Sequence, residues 1–194
     1  EAGTGKTVLN SNIFYELYCQ EEEKDNAEFK CCMVVNHDEQ VKVYSDIAKK
    51  LGITEKYGEV VSKASTFLNR HKDLDSVDVV FIDEAHLLFT QGNQGYSGKN
   101  QLDDIIKRAK VVVIVFDENQ ILRTDQYWEK QMIDRYRNKA IEQQNYITLT
   151  KQLRMQADNE TLAWIDAFTK KQIINKIPHH DYEIKIFDSP EALD

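Results

Sequence analysis

Glu1-Ala-Gly-Thr-Gly-Lys-Thr7 and, further along, Val79-Val-Phe-Ile-Asp-Glu-Ala-His86 are the two stretches on which the fold turns. The first matches all but the initial residue of the phosphate-binding loop G-x-x-x-x-G-K-[ST]; the missing glycine would be the residue before Glu1. Glycines in such a loop let consecutive backbone N–H groups face phosphate oxygens, and a helix starting near Lys6 adds its positive end. In this pattern Gly3, Thr4 and Gly5 supply backbone, Lys6 reaches the β- and γ-phosphates, and the Thr7 hydroxyl binds magnesium. The second stretch is an apolar strand that ends on two acids. Asp83 is then placed to hold the metal, usually through a water, and Glu84 to polarise an attacking water. Taken singly, the first stretch could be a plain turn before a helix, and the second a charge pair at a helix N-terminus. Together they point to a nucleoside-triphosphate hydrolase using ATP and Mg2+.

Strand and helix patterns alternate outward from these anchors. Ile13, Phe14, Leu17 and Tyr18 repeat at helical spacing, so a helix is expected to follow the opening loop, from Gly5 to Gln20. Lys30–Val35 reads as a buried strand. Val41, Tyr44, Ile47, Ala48 and Leu51 mark a helix stopped by Gly52, and a shorter helix is expected over 59–69. A strand at 77–82 precedes a glycine-bearing loop at 90–99. Leu102, Ile105, Ile106 and Ala109 mark a helix before a strand at 111–116. A polar helix at about 126–143, a short strand at 146–149, a helix near 161–171 and a last strand at 183–187 complete the pattern. Short apolar strands alternating with helices imply an α/β fold with a mainly parallel sheet covered on both faces. Ligands of such sheets bind beyond the carboxyl ends of the strands, where Asp83 and Asp117 both fall.

The 194 residues are 41% hydrophobic and 30% charged, with seven glycines and two prolines, which excludes a fibrous or low-complexity chain. No apolar run approaches the ~20 residues that cross a bilayer, so no membrane partner is expected. The three cysteines, Cys19, Cys31 and Cys32, lack a disulfide framework and read as buried thiols in a reducing cytoplasm. Cys31 and Cys32 are strand neighbours and should point to opposite faces. A net charge of −8 gives no overall attraction to nucleic acid. Lys49-Lys50, Lys107-Arg108 with Lys110, Arg135 with Arg137 and Lys139, and Lys170-Lys171 are local basic groups that read first as solvated helix faces.

Two further segments narrow the class. Phe116-Asp-Glu-Asn-Gln120 resembles the G-D-x-x-Q motif of superfamily 1 helicases, with Phe116 in place of glycine. There Gln120 would sense the γ-phosphate and Asp117 would lie near the metal. Leu149-Thr-Lys-Gln-Leu-Arg154 resembles the next motif, whose arginine touches the γ-phosphate. Alone, Gln120 could be a helix cap and Arg154 a surface cation. In this order the segments resemble the bacterial Schlafen group-3-like DNA/RNA helicase domain family, of unknown function. The resemblance runs through nearly all of the chain and includes Lys99-Asn-Gln-Leu-Asp-Asp-Ile-Ile, Trp164-Ile-Asp and Phe187-Asp-Ser-Pro190.

The resemblance implies a RecA-like P-loop fold truncated at both ends. Residues 1–150 would be the first RecA-like domain without its leading strand, and 151–194 a junction and the start of a second. Such a fragment is expected to bind nucleotide weakly and to self-associate where the strand is lacking. Single-stranded DNA or RNA is the implied partner of the longer protein. Asn36-His37 and Tyr96 lie where relatives contact strands, Tyr96 as a stacking platform or an ordinary loop residue. His86 would either link nucleotide to polynucleotide or simply pack. The alternative function is a nucleotide-controlled signalling or defence switch that unwinds nothing.

Overall fold

Val77-Asp-Val-Val-Phe-Ile82 is rich in β-branched residues and forms the strand around which the sheet is built. The computed structural model describes residues 4–92, 96–117, 127–149 and 157–171, with positions 173, 175, 176, 185, 187 and 189. The elements in order are α1 (Lys6–Glu23), β1 (Cys31–Val34), α2 (Asp38–Lys50), α3 (Ile53–Tyr57), β2 (Val61–Ser62), α4 (Ala64–Arg70), β3 (Val77–Ile82), a 3₁₀ turn (Ala85–Leu87), α5 (Gln101–Ile106), β4 (Ala109–Ile114), α6 (Lys130–Glu142) and α7 (Asn159–Lys171). The four strands make one sheet in the order β2-β1-β3-β4, with every pair parallel. Cys31 pairs with Val79, Met33 with Val61, and Val77 with Ala109.

Strand alternation sorts the core into two clusters. Cys31, Met33, Val35 and Phe81 pack with Phe14 and Tyr18 of α1 and Tyr44 and Ala48 of α2. Cys32, Val34, Val80 and Ile82 pack with Phe67 of α4 and with Leu102 and Ile105 of α5. Cys31 and Cys32 therefore lie on opposite faces, as the pleat requires. Each fully buried side chain of this size contributes about 1.5–3 kcal/mol over leaving it in water. Covering both faces of a parallel sheet is what an α/β architecture demands, and the fold is consistent with the RecA-like class.

The chain divides into two compact units, 1–152 and 153–194. In the second, Asp158 caps α7, accepting from the Thr161 N–H at 2.8 Å and the Thr161 hydroxyl at 2.9 Å. The Trp164 ring stacks on Phe168 and donates to the Asn175 carbonyl at 3.0 Å. No described helix is long and apolar enough to cross a membrane.

Several sequence expectations need correction. The helix expected at 59–69 is a two-residue strand, β2, followed by α4; Val61 and Ser62 are buried beside β1, and sheet pairing wins over helical spacing. Helix α3 was not expected at all. Ala109, assigned to the helix before β4, begins β4 instead. Among the described residues nothing pairs with 146–149 as a strand, and Ile147 is 80% exposed. Cys19 is exposed, so only two of the three thiols are buried. The strand expected at 183–187 falls largely outside the described residues, as do 93–95 of the glycine-bearing loop.

Candidate active site

Gly5 ends the opening loop at φ 80°, in the left-handed region that glycine enters without steric cost. That turn sends the chain into α1 and leaves Lys6 and Thr7 in its first turn, where N–H groups have no acceptor within the helix. Thr4, just before the turn, is buried.

Opposite this turn, β3 ends at Ile82 and the next N–H, of Asp83, is fixed by the Val34 carbonyl at 3.0 Å. Glu84 follows at φ 53° and ψ 46°, a left-handed conformation that costs a non-glycine residue of order 1–3 kcal/mol. The chain is held there from both sides. The Glu84 N–H donates to Asp83 Oδ1 at 3.1 Å, and the Ala85 N–H donates to the Val115 carbonyl at 2.8 Å.

The Asp83 carboxylate is buried and both oxygens are engaged. The Thr7 hydroxyl donates to Oδ1 at 3.3 Å and the Tyr44 hydroxyl to Oδ2 at 2.8 Å. Burial pushes the Asp83 carboxyl above the usual carboxylate range; the Tyr44 hydrogen bond opposes this, neighbouring Glu84 adds to it, and Thr7 opposes it. Lys6 Nζ lies 3.2 Å from Oδ2 of buried Asp117, which follows β4. His86 Nε2 lies 3.1 Å from Glu84 Oε2. That hydrogen bond outweighs the upward push of burial and, helped by Lys6 and opposed by Asp117, holds the Glu84 carboxyl below its ordinary value. Glu84 is thus a carboxylate at neutral pH, able to accept a proton.

His86 is itself buried, meets Phe116 edge to face at 6.0 Å, and accepts at its carbonyl from Trp128 Nε1 at 3.2 Å. Its Nδ1 has no hydrogen-bond partner among the described residues.

The structure brings Thr4, Gly5, Lys6, Thr7, Asp83, Glu84 and Asp117 together at the carboxyl ends of β3 and β4. Gly3, Gln120 and Arg154 lie outside the described residues. Asn36 donates to the Leu87 carbonyl at 2.7 Å, tying the end of β1 to the 3₁₀ turn, while His37 beside it is exposed. The Tyr96 hydroxyl donates to Asp104 at 2.5 Å. Several basic groups face acids: Lys107 meets Asp104, Lys110 meets Asp78, Arg135 meets Asp103, and Arg137 meets Asp134. Tyr44 was legible only as an apolar helix position; the clue was that a buried tyrosine hydroxyl needs a partner.

Thr7 and Asp83 offer hard oxygen donors, the chemistry Mg2+ selects while leaving other positions to water and phosphate. Among the described residues no group of three or more His, Cys, Asp or Glu gathers in metal-binding geometry. A site with one hydroxyl and one carboxylate fits a magnesium ion that travels with a triphosphate, with Lys6 as the second positive charge.

Residues 1–194 match the family described as Schlafen group 3, DNA/RNA helicase domain. The uncharacterized protein YPL245W of Saccharomyces cerevisiae is 31% identical over 191 residues, a match that covers 92% of this chain and 41% of the yeast protein. The chain therefore spans less than half the length of this relative. The family match, carried by the whole chain and supported by the parallel α/β sheet, places it: this chain belongs to the Schlafen group 3 DNA/RNA helicase domain family.

Proposed function

We propose that this domain binds ATP with Mg2+ and hydrolyses it, and that in the longer protein the reaction is coupled to single-stranded DNA or RNA. The observation that carries the reading is the convergence of Lys6, Thr7, Asp83 and Glu84 from α1 and β3 on one edge of the sheet. Lys6 neutralises charge on the β- and γ-phosphates, and Asp117 sets the position of its ammonium group. Thr7 and Asp83 would hold a magnesium ion, which would supply further charge neutralisation on the phosphates. Glu84 takes a proton from water as the water oxygen bonds to the γ-phosphorus and the bond to the β-phosphate oxygen breaks, leaving ADP and phosphate. His86 fixes one Glu84 oxygen and leaves Oε1 to face the water. Gln120 and Arg154 enter through their motifs, as γ-phosphate sensors.

The test is an ATPase assay on the intact protein with and without single-stranded DNA or RNA. Lys6→Ala should abolish tight ATP binding; Glu84→Gln should keep binding and stop turnover. Equal loss of nucleotide affinity in both variants would remove Glu84 from the role of base. Hydrolysis indifferent to every nucleic acid would instead favour a nucleotide-controlled switch.

A further inference from the structure

Tyr44 lies on α2, outside the loop and strand end from which the nucleotide site is built, yet its hydroxyl reaches Asp83. We propose that Tyr44 is a positioning residue that orients the Asp83 carboxylate and thereby sets the magnesium affinity of the nucleotide site, an inference that rests on the ATPase reading above.

The geometry is a set of polar contacts across three elements, centred on Asp83. Thr7 donates to Asp83 Oδ1, Tyr44 donates to Asp83 Oδ2, and Ser11 Oγ lies 3.3 Å from the Tyr44 hydroxyl. Ser11 Oγ donates to the Thr7 carbonyl at 2.6 Å. Ser11 has one hydroxyl proton and Asp83 accepts only, so the Tyr44 proton must point at Oδ2. A carboxylate turns easily about its terminal torsion, which has broad, two-fold preferences. With Oδ2 held by Tyr44, Oδ1 is left facing Thr7, the other oxygen donor of the site.

Tyr44 is held in turn. It is 5% exposed, and the Tyr15 hydroxyl donates to its backbone carbonyl at 2.9 Å. A purely packing role would need the ring but not the hydroxyl. The hydroxyl is spent on the one carboxylate that the ATPase reading assigns to the metal, the arrangement by which outer residues tune metal sites.

The test uses the intact protein and a fluorescent nonhydrolysable ATP analogue, titrated with Mg2+ and again in EDTA, with Mn2+ binding followed by electron paramagnetic resonance. Tyr44→Phe keeps the ring and removes the hydroxyl. It should raise the Mg2+ and Mn2+ concentrations for half-saturation by roughly 10-fold or more, the usual loss for an outer-sphere partner. Nucleotide affinity in EDTA should stay as in the wild type. Tyr44→Met, which also removes the hydroxyl but fills the space with a flexible side chain, should shift metal affinity in the same direction by a similar factor. It decides the matter if Tyr44→Phe does not fold. Metal affinity unmoved in the folded variants, or nucleotide affinity lowered equally with and without metal, overturns the role of Tyr44. Asp83→Asn separates the two ideas. If it too leaves metal-dependent binding intact, the nucleotide-site reading fails; if it abolishes that binding while Tyr44→Phe does not weaken it, the positioning role alone fails.

Discussion

His86 is where the sequence left two readings open, and its surroundings now make them separable. The side chain packs against Phe116 and also meets Glu84, so it is both a core residue and a neighbour of the proposed base. His86→Ala should lower stability by about 1–3 kcal/mol through lost packing, measured by urea unfolding. It should also cut turnover while leaving ATP affinity within a few-fold, because Glu84 loses the group that fixes one of its oxygens. Destabilisation with normal turnover would leave His86 a packing residue. At this scale the gathering of Lys6, Thr7, Asp83 and Glu84 on one edge was legible because the two motifs fix their place at a helix start and a strand end. Glu84's left-handed backbone and the Tyr44 contact were not, since neither strain nor a bond spanning α2 and β3 leaves a local pattern.

Between elements, β4 is tied to β3 by more than its ladder. Asp78 on β3 accepts from Lys110 Nζ of β4 at 2.7 Å and from the Lys30 N–H, just before β1, at 2.9 Å. Partial burial alone would raise the Asp78 carboxyl, but Lys110 and the Lys30 N–H outweigh it and hold it below the ordinary range. A depressed carboxyl contributes stability above its unfolded value, and that contribution is lost as pH falls through the folded value. Asp78→Asn should therefore melt below the wild type at neutral pH, with the gap closing as pH drops through about 4 and below. Thermal melts across that range check it; a gap that stays constant with pH would show the charge to be idle. Helix α2 could be read from sequence because its apolar spacing is regular, α1 because Phe14, Leu17 and Tyr18 repeat at helical spacing, and β3 because its apolar run is nearly continuous. Strand β2 could not: two residues are too few to show a period, and only the neighbouring β1 makes them a strand. The strand expected at 146–149 failed for the converse reason: among the described residues nothing covers Tyr146 and Ile147.

Over the whole chain, the parallel α/β class followed from the alternation of short apolar runs and helices, and the observed order β2-β1-β3-β4 agrees with it. The order itself was not readable, because nothing local in a parallel strand names its neighbour. The same absence of local pairing governs how the chain acquires its fold. Met33 finds its partner only at Val61, Cys31 at Val79 and Val77 at Ala109, so each ladder closes a loop several dozen residues long. Closing such loops costs entropy before any strand contact repays it, and refolding is expected on the slow, roughly millisecond-to-second scale of non-local topologies. Val80→Ala, at the centre of β3, should slow refolding in stopped-flow experiments, whereas Phe168→Ala in the second unit should not change the rate for the first. During synthesis β1 emerges well before β3, and among the described strands its apolar Cys31-Cys-Met-Val34 then has only the two residues of β2 to pair with. That interval, with a bare apolar strand edge on a growing chain, is when the protein is most open to misassociation.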